Sequence, residues 1–163
     1  MANAVSFKRK KVNSGLNNNL IKQKNNSKLK PKKSGAIFGV HLTIDGYMGN
    51  YDLLNDMSIV FKLLNELPEK IGMHKMMPPY VVCAPPLNIK DSGGISGFVM
   101  IAESHISTHT FPHRRFVSID VYTCKNKLPV QFVVDYFKDA FKLQETEVHE
   151  IRRGQKFPEE DII

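Results

Sequence analysis

The first 34 residues contain no acidic side chain, yet they hold ten Lys or Arg. The whole 163-residue chain has 23 basic and 16 acidic residues, so 13 basic stand against 16 acidic in residues 35–163, a net −3. The overall +7 therefore describes a mildly acidic body carrying a basic tail. No apolar run reaches the ~20 residues that a membrane span requires. No apolar stretch follows the basic residues, so the tail is not expected to act as a secretory signal. There are two cysteines, Cys83 and Cys124. With no export signal, they are expected to be free thiols in a reducing, cytoplasmic setting. Tryptophan is absent, no repeat is present, and the length suits one domain.

The tail is rich in Asn and Ser and poor in large apolar residues. Such a segment buries too little surface to offset its ordering entropy, so residues 1–34 are expected to be disordered. Its charge suits contact with nucleic acid or an anionic surface, but a solvated extension is the first reading of such a tail. Residues 35–163 are expected to form the folded domain.

From Gly35 the pattern changes. "AIFGVHLTIDGY" is apolar and β-branched and reads as a strand. In "YDLLNDMSIVFKLLNELPEKIG" the residues Leu53, Met57, Val60, Phe61, Leu64 and Leu67 recur at three- and four-residue steps, the mark of a helix with one apolar face. Asn50 or Asp52 can cap it, and Pro68 with Gly72 can end it. "PPYVVCAPP" is a short strand, and "ISGFVMIAE" and "HISTHTF" are strand material. "FVSIDVYTC" alternates into another strand. Pro129 opens a second helix with Val133, Val134, Phe137, Ala140 and Phe141 as its stripe. "TEVHEIRRG" closes as a strand. The order β-α-β-β-β-α-β predicts an α+β fold. Two helices lie on one face of a mostly antiparallel sheet, forming a two-layer sandwich.

Strand alternation puts His105, Ser107, His109 and Phe111 on one side, and Ile106, Thr108 and Thr110 on the other. It likewise groups Ser118, Asp120, Tyr122 and Cys124 opposite Val117, Ile119 and Val121. Two strands thus present polar faces, which is either a solvated surface or a site. Cys124 with His109 is one possible nucleophile and base, and a pair of ordinary structural residues is the other. On a strand, His105 and His109 sit about 13 Å apart, which argues against a shared metal. "DSGGISG" lacks the spacing and lysine of a phosphate loop and reads as a flexible loop.

"ISGFVMIAESHISTHTFP" followed by "FVSIDVYTC" resembles the bacterial and archaeal S-adenosylmethionine decarboxylase family. The likeness lies in the Glu103-Ser104-His105 junction, in the His109-Thr110-Phe111-Pro112 run, and in Cys124, twenty residues beyond Ser104. "GVHLTIDGYMGNYDLLND" resembles the family's opening strand, turn and helix, and the likeness covers about residues 36–153. It implies a chain that cuts itself between Glu103 and Ser104. Ser104 Oγ would attack the Glu103 carbonyl to make an ester. Elimination would then release a chain ending at Glu103, and Ser104 would become a pyruvoyl group, the cofactor that takes up the substrate amine. By the same resemblance, His109 is the proton acceptor of processing, assisted by Ser96. Cys124 is the proton donor of turnover, and Phe111 and His113 lie at the substrate. It further implies spermidine biosynthesis, a small-molecule substrate, no metal, and a homodimer of processed α and β chains.

Two stretches depart from the family's pattern. His113, followed by Arg114 and Arg115, stands where members carry an acid, and Asn88, Ile89 and Lys90 stand where an aromatic is usual. Relatives that decarboxylate arginine or ornithine therefore remain alternatives, with Asp45, Asp91 and Asp120 as acids for a cationic substrate. A reading of another class is a non-catalytic module that binds nucleic acid or a membrane surface through the basic tail.

Overall fold

The computed structural model describes residues 37–158 and 160. The expectation of a disordered tail falls on residues outside this range. Nine residues of alternating burial, Gly39–Tyr47, make strand β1, with Val40, Leu42 and Ile44 buried. The expected single helix is two. A one-turn helix α1, Tyr51–Leu54, is capped by Asn50 Oδ1, which accepts from Leu53 N at 3.0 Å. The chain then breaks and restarts as α2, Met57–Lys70, capped by Asp56 Oδ1, which accepts from Ser58 N at 2.8 Å. Asp and Asn compete for backbone donors, which makes them poor inside a helix and good at its start. The restart shifts the buried stripe to Val60, Leu63, Leu64 and Leu67, and leaves Met57 and Phe61 exposed. Pro68 sits in the last turn rather than ending the helix, and Gly72 makes the exit at φ 68°.

Four strands follow where the sequence suggested three: β2 Tyr80–Ala84, β3 Gly94–Ile101, β4 Ser104–Phe111 and β5 Phe116–Thr123. The extra strand arises because "ISGFVMIAESHISTHTF" folds back on itself at Ala102–Glu103, making β3 and β4 the arms of a hairpin. A short 3-10 turn, Pro112–Arg114, leads into β5. Helix α3, Val130–Phe141, and strand β6, Glu145–Arg153, complete the order.

Among the described residues the strands form one antiparallel sheet, ordered β2-β3-β4-β5-β1-β6. Helices α2 and α3 cover one face, so the expected two-layer α+β sandwich is what forms. Leu42, Ile44, Val99, Ile106, Ile119 and Val121 of the sheet meet Val60, Leu64, Leu67, Val133, Phe137 and Phe141 of the helices in one core. Because side chains alternate, burying that set drives His41, Ser96, His105, His109, Asp120 and Tyr122 onto the face away from the helices.

The register is pinned at the start of β3. Thr110 Oγ1 accepts from Ile95 N at 3.0 Å. A Cβ on Gly94 would lie 1.9 Å from Thr110 O, so only glycine permits this approach.

The core assignment is testable. Phe137 is fully buried, and Phe137→Ala is expected to cost about 3–5 kcal/mol. Phe61→Ala, at an exposed position of α2, is expected to cost at most about 0.5 kcal/mol. Urea midpoints of the two variants check this ordering.

Candidate active site

The hairpin between β3 and β4 turns in two residues, Ala102 and Glu103, with Ile101 paired to Ser104. Two-residue hairpins normally place positive φ at their central residues, hence their preference for Asn and Gly. Neither Ala102 nor Glu103 adopts positive φ; the next residue, Ser104, takes it at 146°. That region is close to forbidden for a residue with a side chain and costs on the order of 1–3 kcal/mol. The backbone strain of the turn therefore falls at the Glu103–Ser104 peptide.

The turn is tied down on several sides. Ala102 N donates to His74 O at 2.8 Å, and Met76 N donates to Met100 O at 3.0 Å. The carbonyl oxygen of Glu103 accepts from Cys124 N at 2.8 Å. The Glu103 side chain is almost buried and accepts from His74 N at 3.1 Å, and its other oxygen lies 3.0 Å from His74 Nδ1. Lys125 Nζ lies 3.5 Å away. Burial of Glu103 works to raise its pKa. The His74 ring and backbone hydrogen bonds, its own backbone and the Lys125 charge outweigh that and bring it to about 2, from 4.5. Ser104 Oγ lies 3.3 Å from His105 Nδ1. Cys124 is exposed and unpaired, as is Cys83.

A second group lies farther down β4. Ser96 and His109 are directly paired across β3 and β4, and Ser96 Oγ lies 2.9 Å from His109 Nδ1. Phe111 follows, 5.7 Å from Phe116 between ring centres. Both line a groove of about 450 Å3 with Asn88, Lys90, Asp91 and Arg114. Arg114 donates to the carbonyl of Ile89, which closes one side of it. His113 turns to the Tyr51 ring at 5.3 Å and does not line the groove.

The residues singled out in the sequence therefore fall into two groups. Glu103, Ser104 and Cys124 meet at the hairpin; Ser96, His109 and Phe111 gather toward the other end. Within one chain, His109 does not reach Ser104. Five residues of strand separate them, roughly 16 Å, and the alternation places them on opposite faces.

Of the acids considered for a cationic substrate, Asp120 is committed to His41 Nε2 at 3.0 Å. Asp91 accepts from Gly93 N at 2.9 Å within its own loop. Sequence reasoning missed His74, whose loop position carries no periodic signal, and Lys125, whose only clue is its place after Cys124. It also missed Arg153, which bonds His41 Nδ1 at 3.1 Å and lies 4.8 Å over the Tyr122 ring. Among the described residues no group of three His, Cys, Asp or Glu is placed to hold a metal, and no helix is long and apolar enough to cross a membrane.

The architecture is that of a solved adenosylmethionine decarboxylase from Aquifex aeolicus. The TM-score is 0.63 at 24% identity, over 78% of this chain and 98% of that one. The sequence defines the family more closely. A model of S-adenosylmethionine decarboxylase matches residues 40–154. An S-adenosylmethionine decarboxylase proenzyme 2 of Halalkalibacterium halodurans is 34% identical over 116 residues, covering 71% of this chain and 86% of that protein. A proenzyme of Pyrococcus abyssi is 49% identical over 61 residues, covering 37% of this chain and less than half, 44%, of that protein. The chain belongs to the S-adenosylmethionine decarboxylase family.

The clamp on Glu103 has a pH signature. A carboxylate whose pKa is lowered on folding contributes stability above its unfolded value, and that contribution is lost as pH falls toward the folded one. In an uncut Ser104→Ala background, adding Glu103→Gln is expected to destabilise the chain above about pH 4.5. The difference is expected to shrink as pH falls from 4.5 toward 2. Urea unfolding of the two chains across that range checks the sign.

Proposed function

We propose that this chain is a self-cleaving S-adenosylmethionine decarboxylase whose cofactor is a pyruvoyl group made from Ser104. The single observation that carries the reading is the Glu103–Ser104 bond. It joins a strained serine at φ 146° to a carbonyl that accepts the Cys124 backbone N–H at 2.8 Å. Strain raises the energy of the intact amide, and a fixed donor on the carbonyl oxygen favours the charge that develops there under attack. Ser104 Oγ adds to the Glu103 carbonyl carbon, the amide becomes an ester, and elimination across Ser104 frees Glu103 as a new C-terminus.

Once formed, the pyruvoyl group supplies a carbonyl that takes up the substrate amine and accepts the electron pair left by carbon dioxide. The chain positions and protonates. Cys124, whose backbone N–H bonds the junction carbonyl, is the residue suited to return a proton to the substrate carbon through its thiol. Phe111 and Phe116 offer aromatic faces to the nucleoside part of S-adenosylmethionine, and Asn88 and Asp91 line the same groove.

The separation of the two groups points to a homodimer. Tyr80, Phe98, Met100 and Ile151 are exposed on the face away from the helices. Pairing two such faces would cover them. It would also allow Ser96 and His109 of one copy to serve Ser104 of the other, with His109 as base for the elimination.

Two experiments test this. On a denaturing gel the purified protein is expected to run as residues 1–103 and 104–163, and Ser104→Ala to run whole. The processed protein is expected to release carbon dioxide from carboxyl-labelled S-adenosylmethionine, with arginine and ornithine tried beside it. Release from arginine or ornithine alone would reassign the substrate, and an uncut parent chain would end the proposal. For the dimer, a His109→Ala chain is expected to stay uncut alone and to be cut when co-expressed with a Ser104→Ala chain. Failure to be cut there would place the base within one copy.

A further inference from the structure

Self-cleavage begins with a proton-transfer problem. The Ser104 hydroxyl must give up its proton as its oxygen attacks, and the nitrogen that leaves must gain one. His109 lies roughly 16 Å along β4 in the same chain and suits a later step. The side chain in contact with the hydroxyl is His105, with Nδ1 3.3 Å from Ser104 Oγ. We infer that His105 is the catalytic base of the first step, the transfer of the Glu103 acyl group from nitrogen to oxygen; this rests on the self-cleavage proposed above.

The step balances within the chain. The Ser104 hydroxyl proton passes to His105 Nδ1 as the bond from Oγ to the Glu103 carbonyl carbon forms. The developing negative charge on the carbonyl oxygen faces the Cys124 N–H. The bond from that carbon to the Ser104 nitrogen then breaks, and the proton on Nδ1 is delivered to the nitrogen. The result is an ester and a free amine, an isomer of the starting chain. Nothing is oxidised or reduced.

The surroundings hold the imidazole in place without consuming it. His105 packs edge-on against Tyr122 of β5 at 5.7 Å between ring centres. Its cross-strand neighbour on β3 is Met100, which has no charge. Across Tyr122 lie His41 at 5.5 Å and the Arg153 guanidinium at 4.8 Å from that ring. Asp120, two residues along β5 on the same face, is engaged by His41 rather than by His105. Imidazole is also the side chain that exchanges a proton most readily near neutral pH.

The test follows splitting of freshly synthesised full-length chain over time on denaturing gels, with and without hydroxylamine, which cleaves esters and leaves amides. His105 is exposed, so His105→Ala and His105→Gln remove no core packing. Both variants are expected to split about 100-fold more slowly than the parent or worse, as loss of a general base would dictate. Gln keeps the volume and a hydrogen bond but accepts no proton, so its slowness separates catalysis from spacing. Hydroxylamine is expected to release nothing from the uncut variants, because no ester has formed. A variant that splits at the parent's rate overturns the inference, as does an uncut variant that hydroxylamine cuts at Glu103. If the parent splits and the variants keep pace, only the role of His105 falls. If the parent never splits, the self-cleavage reading falls and takes this one with it.

Discussion

The geometry of the site depends on one hairpin that turns in two residues without a glycine. Ala102 and Glu103 keep negative φ, and the cost is carried over to Ser104 at 146°. The sheet does not let that strain relax. Downstream, Ser104 is already in register with Ile101 on one side and Thr123 on the other. Upstream, the segment beyond α2 bonds back to the turn through His74 and Met76. The Glu103 carboxylate, held ionised by His74 and Lys125, adds a charged anchor to the same point. The serine is strained because everything around it is regular.

The second constraint is the division of the sheet into two faces. Burying Leu42, Ile106, Ile119 and Val121 under the helices commits the alternate positions to the other side. Ser96, His109, Asp120, Tyr122 and His41 therefore share one surface without any being selected for proximity in sequence. The pairing of Ser96 with His109 is a consequence of strand register, set where Thr110 bonds Ile95 and Gly94 permits close approach.

Much of this was legible in the sequence because it follows from periodicity. The period-two pattern of "FVSIDVYTC" gave its buried face correctly, and the stripe of α3 held at Val133, Val134, Phe137 and Phe141. The Glu-Ser-His junction and the spacing to Cys124 located the hairpin group. The helix after Gly49 was misread as one because Asp56 looks like a surface residue until it is seen to cap a second start, and the restart turned Met57 and Phe61 outward. The hairpin was less visible because its turn lacks Asn or Gly. His74 and Lys125 were invisible, since their importance comes from a contact to Glu103 that no local pattern announces. The resemblance implied that His109 acts on Ser104, yet the strand runs straight through β4, and its alternation puts residues five apart on opposite faces.

The strand order has a consequence for the cleavage proposed after Glu103. The upstream piece contributes β1, β2 and β3, and the downstream piece β4, β5 and β6. In the sheet these do not separate into halves: β1 lies between β5 and β6. The two polypeptides are interleaved like clasped fingers, and the helices are likewise shared, α2 from one and α3 from the other. Neither fragment owns a complete hydrophobic interior. Scission at this position would convert one chain into two without giving either a route to independence.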